Sequence, residues 1–226
     1  LAYKGYLVEN FKPQTVNLRL QAINKYLEFI KQDKLKLRFI KVQQKNFLEN
    51  VISNADYKFL KSSLLNDGYK DWYFIVWFMT ATGSRVSELL HIKAEHVQIG
   101  HLDLYTKGGK MRRIYIPRTL QKEALQWLQE RQISTGYIFL NRFGERITTR
   151  GIAMQLKHFA DKYGLKREVV YPHSFRHRYA KNFLDRFNDI ALLADLMGHE
   201  SIETTRIYLR RTASEQRQIV DKIVNW

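Results

Sequence analysis

Between Lys70 and Thr82 the chain reads KDWYFIVWFMTAT, apolar on nearly every side of a helix. A helix without a polar face must be wrapped by other elements, so this segment predicts the centre of a domain. Its longest apolar run, Trp72 to Met79, is far too short to cross a bilayer. The 226 residues, 45% hydrophobic and 13% aromatic, supply enough apolar material to surround it. With no cysteine there is no disulfide framework, no thiolate metal site and no thiol nucleophile, which fits a reducing cytoplasmic setting. No signal peptide is visible, and an opening Leu1 in place of Met reads as a processed or shortened chain.

Helical periodicity surrounds this centre. After Pro13, Val16, Leu20, Ile23, Leu27 and Ile30 form one apolar stripe, and Phe47, Leu48, Val51 and Ile52 predict a second short helix. The polar stretch Ser53 to Asp56 marks a boundary between residues 1–53 and 54–226. Beyond it, helices are expected at 57–65, 70–82, 84–92, 119–133, 149–163, 173–185, 189–197, 202–210 and 213–225. Leu102, Leu104 and Thr106 alternate, as do Ile114 and Ile116, on either side of a Lys107-Gly-Gly-Lys110 turn. That pattern predicts a β-hairpin, and Tyr137 to Leu140 predicts a short strand. The expected class is mainly α with a small antiparallel β-sheet (α+β).

The charge narrows the partner. Thirty-eight Lys and Arg face 22 Asp and Glu, a net charge of +16. Such self-repulsion is relieved by a polyanion, either nucleic acid or an anionic membrane. A membrane-binding chain concentrates its charge on one amphipathic helix, whereas here residues 1–53 carry +6 and residues 54–226 carry +10. Nucleic acid is the expected partner.

Five short motifs carry the chemistry. Arg85 and Glu88 lie in TGSRVSEL, directly after the apolar helix, where an ion pair is costly to bury. Lys107 sits in the hairpin turn. His173 and Arg176, spaced by three, open a helix after Pro172, at an end that favours anions. His173 and His177 also have the spacing of two zinc ligands, but the helix lacks a metalloprotease Glu and Arg176 would place a cation beside the metal. Gly198-His199 follows an apolar helix, and Tyr208 comes nine residues after His199. Singly, each has a structural explanation: a surface ion pair, a turn lysine, a helix cap, or one of 13 tyrosines packed for its ring.

Together, and in this order, these motifs resemble the tyrosine recombinases, a family that includes phage integrases, chromosome-dimer resolvases and conjugative-transposon integrases, the last most similar over 173–226. The resemblance covers residues from about 57 onward, with Phe175 and Met197 standing where Leu is common. It implies a catalytic domain over 54–226, ending in an exchange helix at 213–225 that docks on a neighbouring protomer. Residues 1–53 correspond to part of the helical core-binding, SAM-like domain that precedes it. The implied activity is site-specific recombination of double-stranded DNA, in integration or excision of mobile DNA, through a 3′-phosphotyrosine on Tyr208. A homotetramer on DNA and an accessory directionality factor are the implied protein partners.

The chemistry suits the residue types. Arg85 and Arg176 can hold both non-bridging oxygens of a phosphate in bidentate fashion, which a lysine cannot. His199 can donate a further hydrogen bond to those oxygens, and His173 can assist proton transfer. Lys107 is the implied general acid for the leaving 5′-oxygen, and Glu88 orients the cluster. No acidic cluster for Mg²⁺ is evident, so neither a cofactor nor a metal is expected, and the phosphotyrosine keeps the bond energy without ATP. Two other readings share these features: a type IB DNA topoisomerase, and a DNA-binding module that kept the fold without catalysis.

Overall fold

A computed structural model describes residues 2–42, 50–105, 111–199, 201–209, 217 and 220–224. The chain divides into two compact units, 1–46 and 47–226, a division that falls ahead of the boundary placed after residue 53. The reason is Ile52, which is buried in the core of the second unit while its N–H donates to the Ser174 hydroxyl over 2.8 Å.

In the first unit, α1 (Ala2–Asn10) and α2 (Pro13–Phe29) pack through Leu7, Val16 and Leu20. Pro13 opens α2, where its missing N–H leaves no bond unmade. The stripe along α2 is buried only at its first turns. Val16 and Leu20 are fully covered, whereas Ile30 is exposed. The chain then returns along α2 as an extended segment with its own anchors. The Asn24 amide donates to the Leu37 carbonyl and its oxygen accepts the Leu37 N–H, and Asn17 does the same for Ile40. Helix α1 lacks a sequence stripe and escapes periodicity.

The second unit is built as the apolar segment requires. Helix α4 (Lys70–Thr82) buries Phe74, Ile75, Val76, Phe78 and Met79 and is packed by α3 (Asn54–Asn66), α7 (Arg118–Glu130) and α9 (Pro172–Arg186). Phe159 of α8 (Thr149–Lys162) meets Trp72 edge to face, and Trp127 stacks on Phe74 at 4.5 Å. A smaller apolar group gathers Ala180, Leu184, Leu193, Met197 and Tyr208 around α9 and α10 (Ile190–Met197). The sheet is a two-stranded antiparallel pair, β1 (His101–Tyr105) and β2 (Met111–Tyr115), with Leu102 opposite Ile114 and Leu104 opposite Arg112. Among the described residues no helix is long and apolar enough to cross a membrane.

Several sequence expectations are corrected. The helix placed at 84–92 shrinks to α5 (Val86–Leu89), because Arg85 is extended ahead of it and Leu90 caps it. A further helix, α6 (Ala94–Ile99), follows. Tyr137–Leu140 forms isolated bridges to Lys93 and Arg146 in place of a strand. Val51 and Ile52 are not helical, and Phe47 and Leu48 lie outside the described residues. Helix 202–210 is α11 (Ile202–Arg206) followed by a 3-10 turn at Ile207–Leu209. The hairpin turn with Lys107, and most of 213–225, also lie outside them.

Candidate active site

Four chain segments meet between the end of α4, the start of α9, the end of α10 and the turn after α11. Arg85 stands just ahead of α5, and the Glu88 carboxylate turns back to accept its backbone N–H at 2.7 Å, capping the helix. The other Glu88 oxygen accepts from Arg85 Nη1 at 2.7 Å. The pair thus arises at a helix start, with Arg85 as the residue that precedes α5. Arg85 Nη2 donates to the Gly198 carbonyl at 3.1 Å.

Arg176 is only 3% exposed. The first turns of α9, opened by Pro172, aim it inward, where Nη1 donates to the Gly83 carbonyl at 2.6 Å and Nη2 to the Met197 carbonyl at 2.7 Å. The same Nη2 lies 2.9 Å from His199 Nε2. A guanidinium can only donate, so Nε2 accepts and the imidazole proton sits on Nδ1, from which it donates to Thr205 Oγ1 at 2.7 Å. His199 follows Gly198, which ends α10 at a left-handed φ of 62°. A third guanidinium, Arg112, donates to Glu88 at 2.7 Å and to the Leu196 carbonyl at 3.0 and 2.8 Å.

The last carbonyls of α10 are therefore capped by three arginines. A helix C-terminus carries partial negative charge, which offsets part of their repulsion. Around one carboxylate, three cations still leave a positive excess. Burial, followed by repulsion from Arg85, lowers the Arg176 pKa to about 10. Burial alone would raise the Glu88 carboxyl, but Arg112 and the bonds from Arg85 hold it below its ordinary value. The site has the electrostatics of a receptor for an anion.

Tyr208 is 6% exposed and packs by its ring, 5.4 Å from His177 and stacked 6.1 Å from His199. Burial raises its pKa, against the pull of the nearby Arg176 guanidinium. The phenol is thus held protonated in the free chain. His173 lies at the exposed start of α9, and partial desolvation, then Arg176 and Arg85, lower its pKa. The structure therefore brings together Arg85, Glu88, His173, Arg176, His199 and Tyr208, while Lys107 lies outside the described residues. Among the described residues no group of three or more metal-ligating side chains forms. The sequence motifs did not pick out Arg112 or the buried Thr205. Arg112 had a signal, a charged residue in the inward register of an alternating strand.

Residues 48–215 match the model of the Phage integrase family. Tyrosine recombinase XerA of Pyrococcus furiosus is 32% identical over 230 residues, covering 98% of this chain and 77% of that protein. The chain is a tyrosine recombinase. Its family cleaves and rejoins DNA strands, and site-specific recombination is its function. Two solved structures share the recombinase's fold. The crystal structure of XerA recombinase aligns with a TM-score of 0.66 at 22% identity, covering 100% of this chain and 82% of that one. The Tn1549 transposon integrase in complex with transposon right end DNA aligns with a TM-score of 0.73 at 16% identity, covering 98% and 83%.

The recombinase's histidines give a pH prediction. Burial, then the nearby cations, lowers the pKa of His199 to about 4, and burial, then His173 and Arg176, does the same for His177. Unfolded, both would bind a proton near pH 6.5, so on acidification from that value toward 4 the unfolded state binds more protons and stability falls. Thermal melts of the DNA-free recombinase should lose about 5 °C between pH 7 and pH 5. A melting temperature that rises over this range would contradict the placement of these rings.

Proposed function

We propose that Tyr208 is the nucleophile of DNA cleavage and that Arg85, Arg176 and His199 hold the phosphate it attacks. The observation that carries this is the excess of guanidinium over carboxylate beside a buried phenol. When a backbone phosphate enters, its oxygens replace His199 Nε2 as acceptors for Arg176. The freed imidazole, in the field of the anion, gains or moves a proton and donates to the same phosphate. Arg85 Nη1 and Nη2, each already donating once, have a second hydrogen for it. The Tyr208 oxygen attacks phosphorus, its proton passes to His173 or solvent, and the 5′-oxygen leaves with a proton from Lys107. Phosphotyrosine replaces phosphodiester, so a 5′-hydroxyl of another duplex can reverse the step without ATP. Glu88 orients the arginines.

Around this chemistry we place the coarser roles. The first helical unit belongs to a core-binding domain that grips double-stranded DNA, and the unit from 47 onward is catalytic. The segment 213–225 links protomers into a tetramer on DNA. The recombinase works in the cytoplasm on integration or excision of mobile DNA, with an accessory factor setting direction.

The test starts from DNA trapped covalently on the purified protein. Its sequence is used to build a nicked duplex whose cleavage releases a short strand and prevents religation. The expected result is an SDS-resistant adduct with this duplex and no relaxation of a supercoiled plasmid lacking the sequence. Relaxation of any plasmid would favour a type IB topoisomerase, and absence of an adduct would leave a DNA-binding module.

A further inference from the structure

Arg112 is 6% exposed, and a guanidinium on the inward face of a two-stranded sheet needs a reason. Its register opposite Leu104 sets it on the same face as Leu102 and Ile114, where an aliphatic residue would pack without cost. Instead Nη1 donates to Glu88 Oε1, and Nε and Nη2 both donate to the Leu196 carbonyl. Each partner leads to a residue of the site. Glu88 holds the backbone and guanidinium of Arg85. Leu196 lies in the last turn of α10, two residues ahead of the carbonyl that Arg85 reaches and three ahead of His199. The fit is close: a Cβ on Gly198 would run into the Arg112 side chain. Removing this side chain would take both guanidinium bonds from the Leu196 carbonyl and leave Glu88 Oε1 held by Arg85 alone.

We propose that Arg112 is a positioning residue for DNA cleavage, joining Glu88 to the carbonyl end of α10 so that Arg85 and His199 face one phosphate. This rests on the phosphate-binding roles given to Arg85 and His199 above. Arg112 itself touches no reacting atom. It fixes the distance between two groups that do, and small displacements of such groups cost rate far more than affinity.

Two variants separate geometry from charge and from folding. Arg112→Lys keeps a cation that can pair with Glu88, but one ammonium cannot span both Glu88 and the Leu196 carbonyl in the planar way a guanidinium does. At saturating nicked duplex, its rate of adduct formation per folded molecule should fall about 10²-fold, with half-saturation within about threefold of wild type. Glu88→Gln cuts the same joint from its other side, so the double variant should be no slower than the slower single. An Arg112→Lys rate within about threefold of wild type, or losses that multiply in the double variant, would overturn the positioning role. Absence of an adduct from wild type would instead bring down the recombinase chemistry, and this role with it.

Discussion

Replacing Tyr208 by Phe is expected to abolish the covalent DNA adduct, slowing its formation by at least about 10⁴-fold. The substitution removes one oxygen and leaves the ring between His177 and His199, where it packs 5.4 and 6.1 Å from them. The fold should tolerate it. Losing the phenol oxygen should cost only about 1 kcal/mol, since Arg176 keeps its two carbonyl partners and His199. DNA binding, which draws on the +16 charge of the whole chain, should stay near the wild-type value at equal salt. Gel shifts and SDS gels on the same nicked duplex separate the two properties. An adduct of ordinary yield from Tyr208→Phe would assign the nucleophile elsewhere.

Arg176→Lys carries the second large effect, and it acts twice. The guanidinium satisfies the Gly83 and Met197 carbonyls, at 2.6 and 2.7 Å, while also reaching His199. An ammonium cannot hold these partners in one plane, so at least one buried carbonyl loses its donor, at about 2 kcal/mol of stability. Bidentate contact with the phosphate is lost as well. Cleavage should fall about 10³-fold at saturating DNA, the scale seen when a preorganised donor is removed from a transition state. Urea denaturation and single-turnover cleavage read the two losses independently. Full stability with full cleavage would mean that Arg176 is neither the structural nor the chemical centre of the cluster.

Much of this site was legible before any coordinate. Arg85, Glu88, His173, Arg176, His199 and Tyr208 stand in four separate motifs, and the structure gathers all but His173, which opens α9, around the end of α10. The buried centre was equally plain, because an all-apolar helix at 70–82 leaves no choice of face. What escaped did so for physical reasons. Arg112 has Arg113 beside it, and only the strand register tells which one points inward; Arg113 turns outward to Asp103. The start of α5 depends on Arg85 staying extended, which periodicity averages over, so a helix over 84–92 overstates α5. Thr205 counted as a helix residue like any other until the His199 tautomer gave its hydroxyl a task. The protonation state of His199 could not be read from sequence at all, because it depends on Arg176 approaching Nε2.

The most direct test is a structure of the recombinase on its nicked duplex with orthovanadate standing in for the phosphorus under attack. The account predicts a five-coordinate vanadium whose equatorial oxygens accept from Arg85, Arg176 and His199. The Tyr208 oxygen should lie at one apex, and the His199–Arg176 hydrogen bond should be exchanged for bonds to the anion. A vanadate bound elsewhere, or one that leaves Arg85 and Arg176 on the α10 carbonyls alone with Tyr208 still buried, would contradict it.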